Sequence, residues 1–454
     1  MAALRQQELL HLAERASDLA LKNGANEAET YVFQDLSTYV NIERGQISKT
    51  SRTIDRGLGC RTIVNKSVGF CYTNVLENEN TIEETVLKAL VFARANRPDD
   101  NWHGLPIEKP FASVENTFDR KIEDLHAENL VETASAMLDA AEKKDKRVFP
   151  IEGEVRASYM SSALANSNRI SVDDRGTMIE CSLATIGHDA GEVTPVCFEF
   201  NLERTYDIDP VAVGEEAARL AVSALKAKKT ETKETCVILT QFALQQLLSY
   251  TFINAISADR VQRDQSVFRD KVGEKVASEM VTIHDDGLFP GGIRTWKSDG
   301  EGVPQQKTLL IEKGVLRGFI YDNYAARKEG RESTGNGARA GYLSTPSVDA
   351  TNLHFQAGNK SAEALTRQVG EGLLVNSVQG AHTSNPASGE FSVVATPSWN
   401  IKNGEITYPV KGAMLTGDIF HLLANISGLA NNERKIGQLV APWVLIENVK
   451  VIGK

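Results

Sequence analysis

Few side chains in this sequence stand at spacings suited to chemistry. His284, Asp285 and Asp286 form a compact run of metal-ligand types, but they precede Gly287 at an expected strand end, where aspartates favour turns. His188 and Asp189, with Glu192 close by, lie in another turn-like stretch. Ser223 and Lys226 match the spacing S-x-x-K, in which a lysine activates a serine nucleophile, yet they fall where an amphipathic helix runs into a charged segment. His382, Thr383, Ser384 and Asn385, followed by Ser388, Gly389 and Glu390, make a polar loop before a strand, suited to hydrogen bonds with a peptide or a partner. No phosphate loop, no G-x-S-x-G and no H-E-x-x-H occurs.

The stretch least like an ordinary globular sequence starts at Asp299. An acidic, glycine-bracketed run, Asp299-Gly-Glu-Gly-Val303, precedes two apolar segments, residues 309–311 and 315–320, joined by Glu312, Lys313 and Gly314. Glycine supplies the positive φ of a tight turn, so this reads as a β-hairpin. Ser333, Thr334, Gly335, Asn336 and Gly337 follow as a polar loop, with Ser333 and Asn336 as candidate binding or interface groups.

Composition sets outer limits on function. With 454 residues and 41% hydrophobic content, the chain can bury several cores. Its net charge of -10 argues against nucleic-acid binding, which needs a concentrated basic surface. The lysine-rich residues 226–233 read as a solvated linker. The first residues form a polar amphipathic helix without the apolar core of a signal peptide, and no apolar window is long enough to span a bilayer, so the expected compartment is the cytoplasm. The five cysteines are scattered and show no C-x-x-C pair, consistent with reduced, mostly buried thiols.

Periodicity indicates an α+β protein. After a first helix ending at Asn23 and Gly24, strands are expected at residues 29–35, 38–43, 57–64 and 67–72, the last two joined by Asn65 and Lys66, with a helix over 81–95 packed on them. Proline-rich residues 97–111 mark a boundary. A second unit has helices over 125–142 and 213–225 flanking strands within 152–200, with turns expected at 174–176 and 189–191. From residue 235 a strand and a helix carrying Phe242, Leu247, Leu248, Phe252 and Ala255 lead into mainly antiparallel strands, among them 373–378, 390–395 and 440–446, with hairpin turns at Lys313-Gly314 and Asn403-Gly404. The expected organisation is a layered N-terminal half of antiparallel strands and helices, divided as 1–110 and 111–228, and a predominantly antiparallel β C-terminal domain, 229–454.

In that C-terminal domain, Val272-Gly-Glu-Lys-Val-Ala-Ser278, Asp299-Gly-Glu-Gly-Val303, Leu310-Ile-Glu-Lys-Gly314, Tyr321-Asp-Asn-Tyr-Ala-Ala-Arg-Lys328, Ser333-Thr-Gly-Asn336 and Ile406-Thr-Tyr-Pro-Val410 together resemble the TldD/PmbA family of zinc peptidases. The resemblance covers essentially the whole chain and is most specific between residues 235 and 450. It implies one of two kinds of subunit. TldD-type subunits carry H-E-x-x-x-H on a helix, with two histidines on zinc, a glutamate that activates water and a further cysteine ligand near the C-terminus. PmbA-type subunits, also called TldE, lack these ligands and form heterodimers with a TldD-type chain.

Counted back without gaps from Ser266, the register of the metal motif falls on residues 249–254, so Ser249, Tyr250 and Asn254 stand where the two histidines and the glutamate are required. Hydroxyl and amide groups are not usual zinc ligands. Residues five apart on a regular helix also diverge by about 140°, so convergence needs a local bulge. The helix is sufficiently explained by packing, with Leu248 and Phe252 inward. No cysteine follows Cys236. The resemblance therefore implies a PmbA/TldE-like subunit with no catalytic residue and no bound cofactor of its own, zinc lying on a TldD-type partner, where it polarises the scissile carbonyl of an unfolded peptide. The chain would supply part of the substrate cavity. Two alternatives stand beside this: a homomeric peptide-binding or scaffold protein of the same fold acting without such a partner, and a hydrolase using one of the polar clusters above.

Overall fold

In the computed structural model, which describes residues 4–453, helix α1 (Gln6–Lys22) leads into three long antiparallel strands, β1 (Glu27–Glu43), β2 (Gln46–Val64) and β3 (Ser67–Thr73). Helical spacing places Leu9, Ala13, Ala16 and Ala20 in one stripe of α1, and that stripe is fully buried against the sheet. Asn65 (φ 49°) and Lys66 (φ 66°) form the expected β2–β3 turn, both in the left-handed region that matches the twist of the strands. Helix α2 (Glu79–Ala95) is capped by Asn78, whose side-chain oxygen accepts from the Asn80 and Thr81 amides. It rests directly on β3 at Gly69, where an added Cβ would lie 2.1 Å from the Ala89 carbonyl oxygen.

The strands of the second unit, β4 (Val148–Asn166) and β5 (Ser171–Asp189), join the same sheet, because β1 pairs with β4 from Glu29 opposite Asn166 to Glu43 opposite Glu152. The strand Cys197–Glu203 adds on β5, completing an order in which β1 is central. Helices Ala127–Lys144 and Pro210–Ser223 cover the end of this sheet that faces the C-terminal domain, sharing a core with Ile238, Leu374 and Trp399.

The C-terminal part is built from a ten-stranded and a six-stranded sheet around one large apolar cluster. Pairing is mostly antiparallel, with parallel contacts where Gly372 meets Cys236, Leu353 meets Leu439 and Val410 meets Lys228. Together the elements give the α+β architecture expected from periodicity. The turns at Lys313-Gly314, Asn403-Gly404 and Ala190-Gly191 all carry positive φ, as expected of hairpin turns.

Several boundaries differ from the sequence reading. Residues 29–35 and 38–43 are one strand: Leu36 and Ser37 break the alternation, but the Ser37 hydroxyl pairs with that of Ser158 at 2.7 Å across the β1–β4 ladder, which carries the chain straight on. Residues 174–176 are no turn, since β5 runs through them. Asp174 instead accepts from the Lys297 amide of the C-terminal domain at 2.8 Å, and a Cβ on Gly176 would strike the Arg204 guanidinium at 2.1 Å. The expected strand 440–446 is two, Leu439–Ala441 and Val444–Ile452, and 373–378 ends at Val375 before resuming at Val378.

The Gly69 contact leaves no room for a methyl group. Gly69→Ala is expected to cost about 1–3 kcal/mol through overpacking of α2 on β3, read as a lower urea midpoint with an unchanged m-value.

Candidate functional site

The helix Gln241–Tyr250 is broken at Thr251 (φ −112°, ψ −69°) before a single further turn, Phe252–Ala255. The Thr251 hydroxyl donates to the Leu247 carbonyl at 2.8 Å, a back-bond that bends helices. The metal-motif positions straddle this break. The Ser249 hydroxyl accepts from the Gln245 amide at 3.1 Å, and the Asn254 amide donates to the Tyr250 carbonyl at 3.3 Å, so both are engaged in the helix itself. Tyr250 is exposed and meets the His382 ring edge-on, with centroids 6.4 Å apart. Leu248 and Phe252 point inward, as the packing reading requires. Hydroxyl, phenol and amide make no zinc donor set, and these positions do not fit the metal.

His382 belongs to a short 3-10 turn (Ala381–Thr383) entered through Gly380 in the left-handed region. Next to it the Ser384 hydroxyl is buried with no hydrogen-bond partner among the described residues. Asn385 closes the following turn: its amide donates to the Glu390 carbonyl at 2.9 Å, its side chain accepts from the Ala387 amide at 3.0 Å, and Ser388 donates to the Glu390 carboxylate at 3.0 Å. The structure thus brings the polar loop to the broken helix, with Tyr250 and His382 as the point of contact.

Ser333 and Asn336 lie elsewhere. Ser333 donates to the Tyr321 carbonyl at 3.1 Å, while the buried Asn336 amide donates to Asp285 at 2.6 Å and to the Asp349 carbonyl at 3.0 Å. Asn336 also lines a cavity of about 210 Å³ between β1, β4 and β5 on one side and the loops after residue 294 on the other. Asp285 points into this network and is pushed up to about 6 by burial, against hydrogen bonds from Asn336 and Thr351. Its neighbours diverge from it: Asp286 pairs with Lys307 at 3.0 Å, and His284 stands opposite His354 in the ladder. The Ser223–Lys226 pair is dispersed, since Ser223 donates to Leu220 within its own helix whereas Lys226 reaches Asp189 at 3.8 Å, and Asp189 stands opposite Glu192 in a hairpin.

Sequence reasoning left Asp299 and Glu301 without roles and missed their partners. Asp299 organises its turn by accepting from the Glu301, Val303 and Gly337 amides. Glu301 accepts from Arg61 at 3.2 Å and from the Asn323 amide at 2.7 Å. Arg61 also binds Glu29, its cross-strand neighbour, at 3.0 Å, and Glu29 binds Arg339. All are buried, so two guanidinium groups face four carboxyls once Asp322 is included. Burial, then repulsion from Glu301, holds Asp299 well above the ordinary carboxyl range and pushes Asp322 up to about 7. Glu29 shares its strand phase with Tyr31 and Phe33, whose face lines the cavity toward the C-terminal loops.

A β-sheet layer and a β-rich C-terminal domain are thus locked together by buried charge, and Ser249, Tyr250 and Asn254 stand at the motif positions around the break in the helix. Three family models match in order: PmbA/TldA metallopeptidase domain 1 over residues 28–93, the central domain over residues 120–225 and the C-terminal domain over residues 232–453. The chain belongs to the PmbA/TldD metallopeptidase family. It is 32% identical to an uncharacterized protein of Methanocaldococcus jannaschii, over 93% of this chain and 95% of the relative. It is 27% identical to a metalloprotease PmbA homolog of Haemophilus influenzae, over 99% of this chain and 97% of the relative. Homologs named TldD match as well, at 25% and 27% identity. The crystal structure of TldE from Thermococcus kodakarensis superimposes with a TM-score of 0.91 at 27% identity, covering 98% of this chain and all of that one.

Two outcomes follow from the buried charges. Arg61→Met leaves Glu29 and Glu301 short of a partner and is expected to cost about 3–5 kcal/mol of stability, measured by chemical unfolding. Asp322, raised in the folded state, binds its proton more tightly there than in the unfolded chain. Its contribution is therefore complete below the unfolded value of about 4 and is lost as pH rises through about 7. Asp322→Asn retains the cap acceptor for the Ala325 amide, so its melting temperature should rise relative to the parent between about pH 5 and about pH 8.

Proposed function

We propose that this chain is the non-catalytic, PmbA/TldE-like subunit of a heterodimeric zinc metallopeptidase, acting on unfolded peptides in the cytoplasm and forming part of the substrate cavity. The observation that carries this reading is the side-chain set at the metal positions: Ser249, Tyr250 and Asn254, two of them engaged in the helix itself. The zinc belongs to the TldD-type partner, and no step of hydrolysis is assigned to this chain.

A role in holding peptide is supported by the polar loop and the strand beside it. Strand Glu390–Ala395 is paired from Glu390 to Val394 with Met414–Asp418 on one side. On its other side, among the described residues, only Val394 and Ala395 meet a strand and Glu390 forms a bridge with Asn385. Among the described residues no strand pairs with residues 391–393 on that side, and pairing of an extended chain there would ignore side-chain identity. His382, Ser384 and Asn385 lie along this edge.

Compartment is supported by chemistry. The five cysteines are free, and burial pushes the Cys60, Cys181 and Cys197 thiols up to about 12, as inert core groups. Among the described residues no helix is long and apolar enough to cross a membrane.

The test is to purify the chain alone and together with a TldD-type subunit, then measure bound zinc, mass of the complex and cleavage of an unfolded peptide. The isolated chain should hold no stoichiometric zinc and cleave nothing, and the mixture should form a defined complex that cleaves. Zinc-dependent proteolysis by the isolated chain, or failure to associate, would overturn the proposal. In the assembled complex, His382→Ala should raise KM for the peptide about two- to tenfold at nearly constant kcat, the effect of one lost hydrogen bond.

A further inference from the structure

Where the strand Cys197–Glu203 and the helix Pro210–Ser223 meet the C-terminal sheets there is a cavity of about 360 Å³. Its wall includes Gln241 and Phe242, at the opposite end of the broken helix from the metal-motif positions, and it is separate from the buried charge network. Phe198 and Phe200 alternate onto one face of the strand, with rings 5.7 Å apart, and Phe242 closes on both at 5.9 and 6.0 Å. Trp399 and Trp443 add further ring surface. The Trp399 indole N–H already donates to the Ser223 carbonyl at 2.9 Å, so what it offers an occupant is apolar. A volume of this size with aromatic walls suits a small planar molecule.

The charged groups narrow the choice. Arg219 binds Glu216 through two of its five N–H donors, both at 2.6 Å, which leaves three to bind a carboxylate. Arg434 binds Glu199 and donates to the Phe200 carbonyl. Each carboxylate keeps lone pairs for an ammonium group. Two arginines offset by two glutamates give no net positive field, so a dianion such as inorganic phosphate is poorly matched. A zwitterion is well matched.

We propose that this cavity binds a small aromatic zwitterion, an aromatic amino acid either free or at the end of a short peptide. Because the walls come from both the central part and the C-terminal domain, occupancy ties the two together and stabilises the native state. The site does not depend on the presence of a TldD-type partner.

The experiment uses the isolated full chain. Tryptophan fluorescence, to which Trp399 and Trp443 contribute, and melting temperature are followed during titration with L-phenylalanine and with glycyl-L-phenylalanine. Phenylethylamine and phenylpropionate, each lacking one charge, and L-leucine, lacking the ring, serve as comparisons. At least one aromatic zwitterion should give a saturable response and a higher melting temperature, and the tighter of the two identifies the free or the peptide source. Loss of either charge or of the ring should weaken binding about tenfold. Phe242→Ala should weaken L-phenylalanine about tenfold. Arg219→Gln, at an exposed position that decides the matter should the Phe242 variant not fold, should weaken L-phenylalanine while leaving phenylethylamine unchanged. No saturable response below about 10 mM, a Kd too weak to count as recognition, would overturn the proposal. So would equal binding of L-leucine, or unaltered binding by both variants.

Discussion

Arg61 stands between Glu29, its neighbour across the β1–β2 ladder, and Glu301, which lies 240 positions away in the C-terminal domain. Taking such groups out of water is costly, and the cost is recovered only if geometry and further hydrogen bonds are nearly complete. Both contacts run through Arg61 Nη2, so one guanidinium nitrogen joins the N-terminal sheet to the C-terminal domain. Burial pulls Arg339 below the ordinary arginine value, while Glu29 and Glu301 outweigh burial at Arg61 and raise it. The two arginines thus serve one network under opposite net influences. Arg204 reinforces the junction a short distance off: buried without a carboxylate in contact, it donates to the carbonyls of Thr117, Gly292, Ile293 and Thr295 and lies 4.5 Å over the Trp296 ring.

The docking explains several glycines and turns that have no local reason. Gly176 lies in the middle of β5, a poor place for glycine by propensity, because the Arg204 guanidinium and Trp296 fill the space a side chain would need. Gly337 carries its amide to Asp299 and would place a Cβ 2.7 Å from a Glu301 oxygen. The proline-rich segment after residue 97 is pinned in the same way. Trp102 and the Leu105 amide bind Glu27, and Arg327 donates to the His103 and Leu105 carbonyls. The boundary stretch is thus held by contacts with both β1 and the C-terminal domain.

What was legible in the sequence was local. Hairpin glycines, the helical stripe of α1 and the period-two runs around residue 60 each follow from interactions within a few positions. The errors at residues 36–37 and 174–176 share one physical origin. Asp174, Arg175 and Gly176 carry turn chemistry by type, yet their surroundings are set by Arg204, just past the end of the strand Cys197–Glu203, and by a tryptophan from another domain. Leu36 and Ser37 break an alternation that only the partner strand, with Ser158, restores. The candidate site was legible to the same extent. Residues 249–254 and 381–390 are each recognisable alone, and their meeting through Tyr250 and His382 is a tertiary fact. Glu29, Arg61, Phe198 and Phe242 carried no motif, because their partners are distant in sequence.

The broken helix ties these points to function. Histidines five apart would need a departure from regular helix to converge, and this chain has such a departure at Thr251 although no donors stand on either side of it. Local packing maintains it: Leu247 accepts the Thr251 hydroxyl, while Phe252, fully buried, packs edge-on against Phe268. The backbone feature is thus separable from metal binding. Conversion of the surrounding side chains to a donor set would need three substitutions on this helix and a further ligand from the residues after 430, where Asn431, Asn432 and Glu433 now stand. Of these, Asn432 is committed elsewhere, accepting from Gln241 through its carbonyl and from the Trp443 amide through its side chain. Contacts within the fold thus engage Ser249 and Asn254 on the helix and Asn432 near the C-terminus.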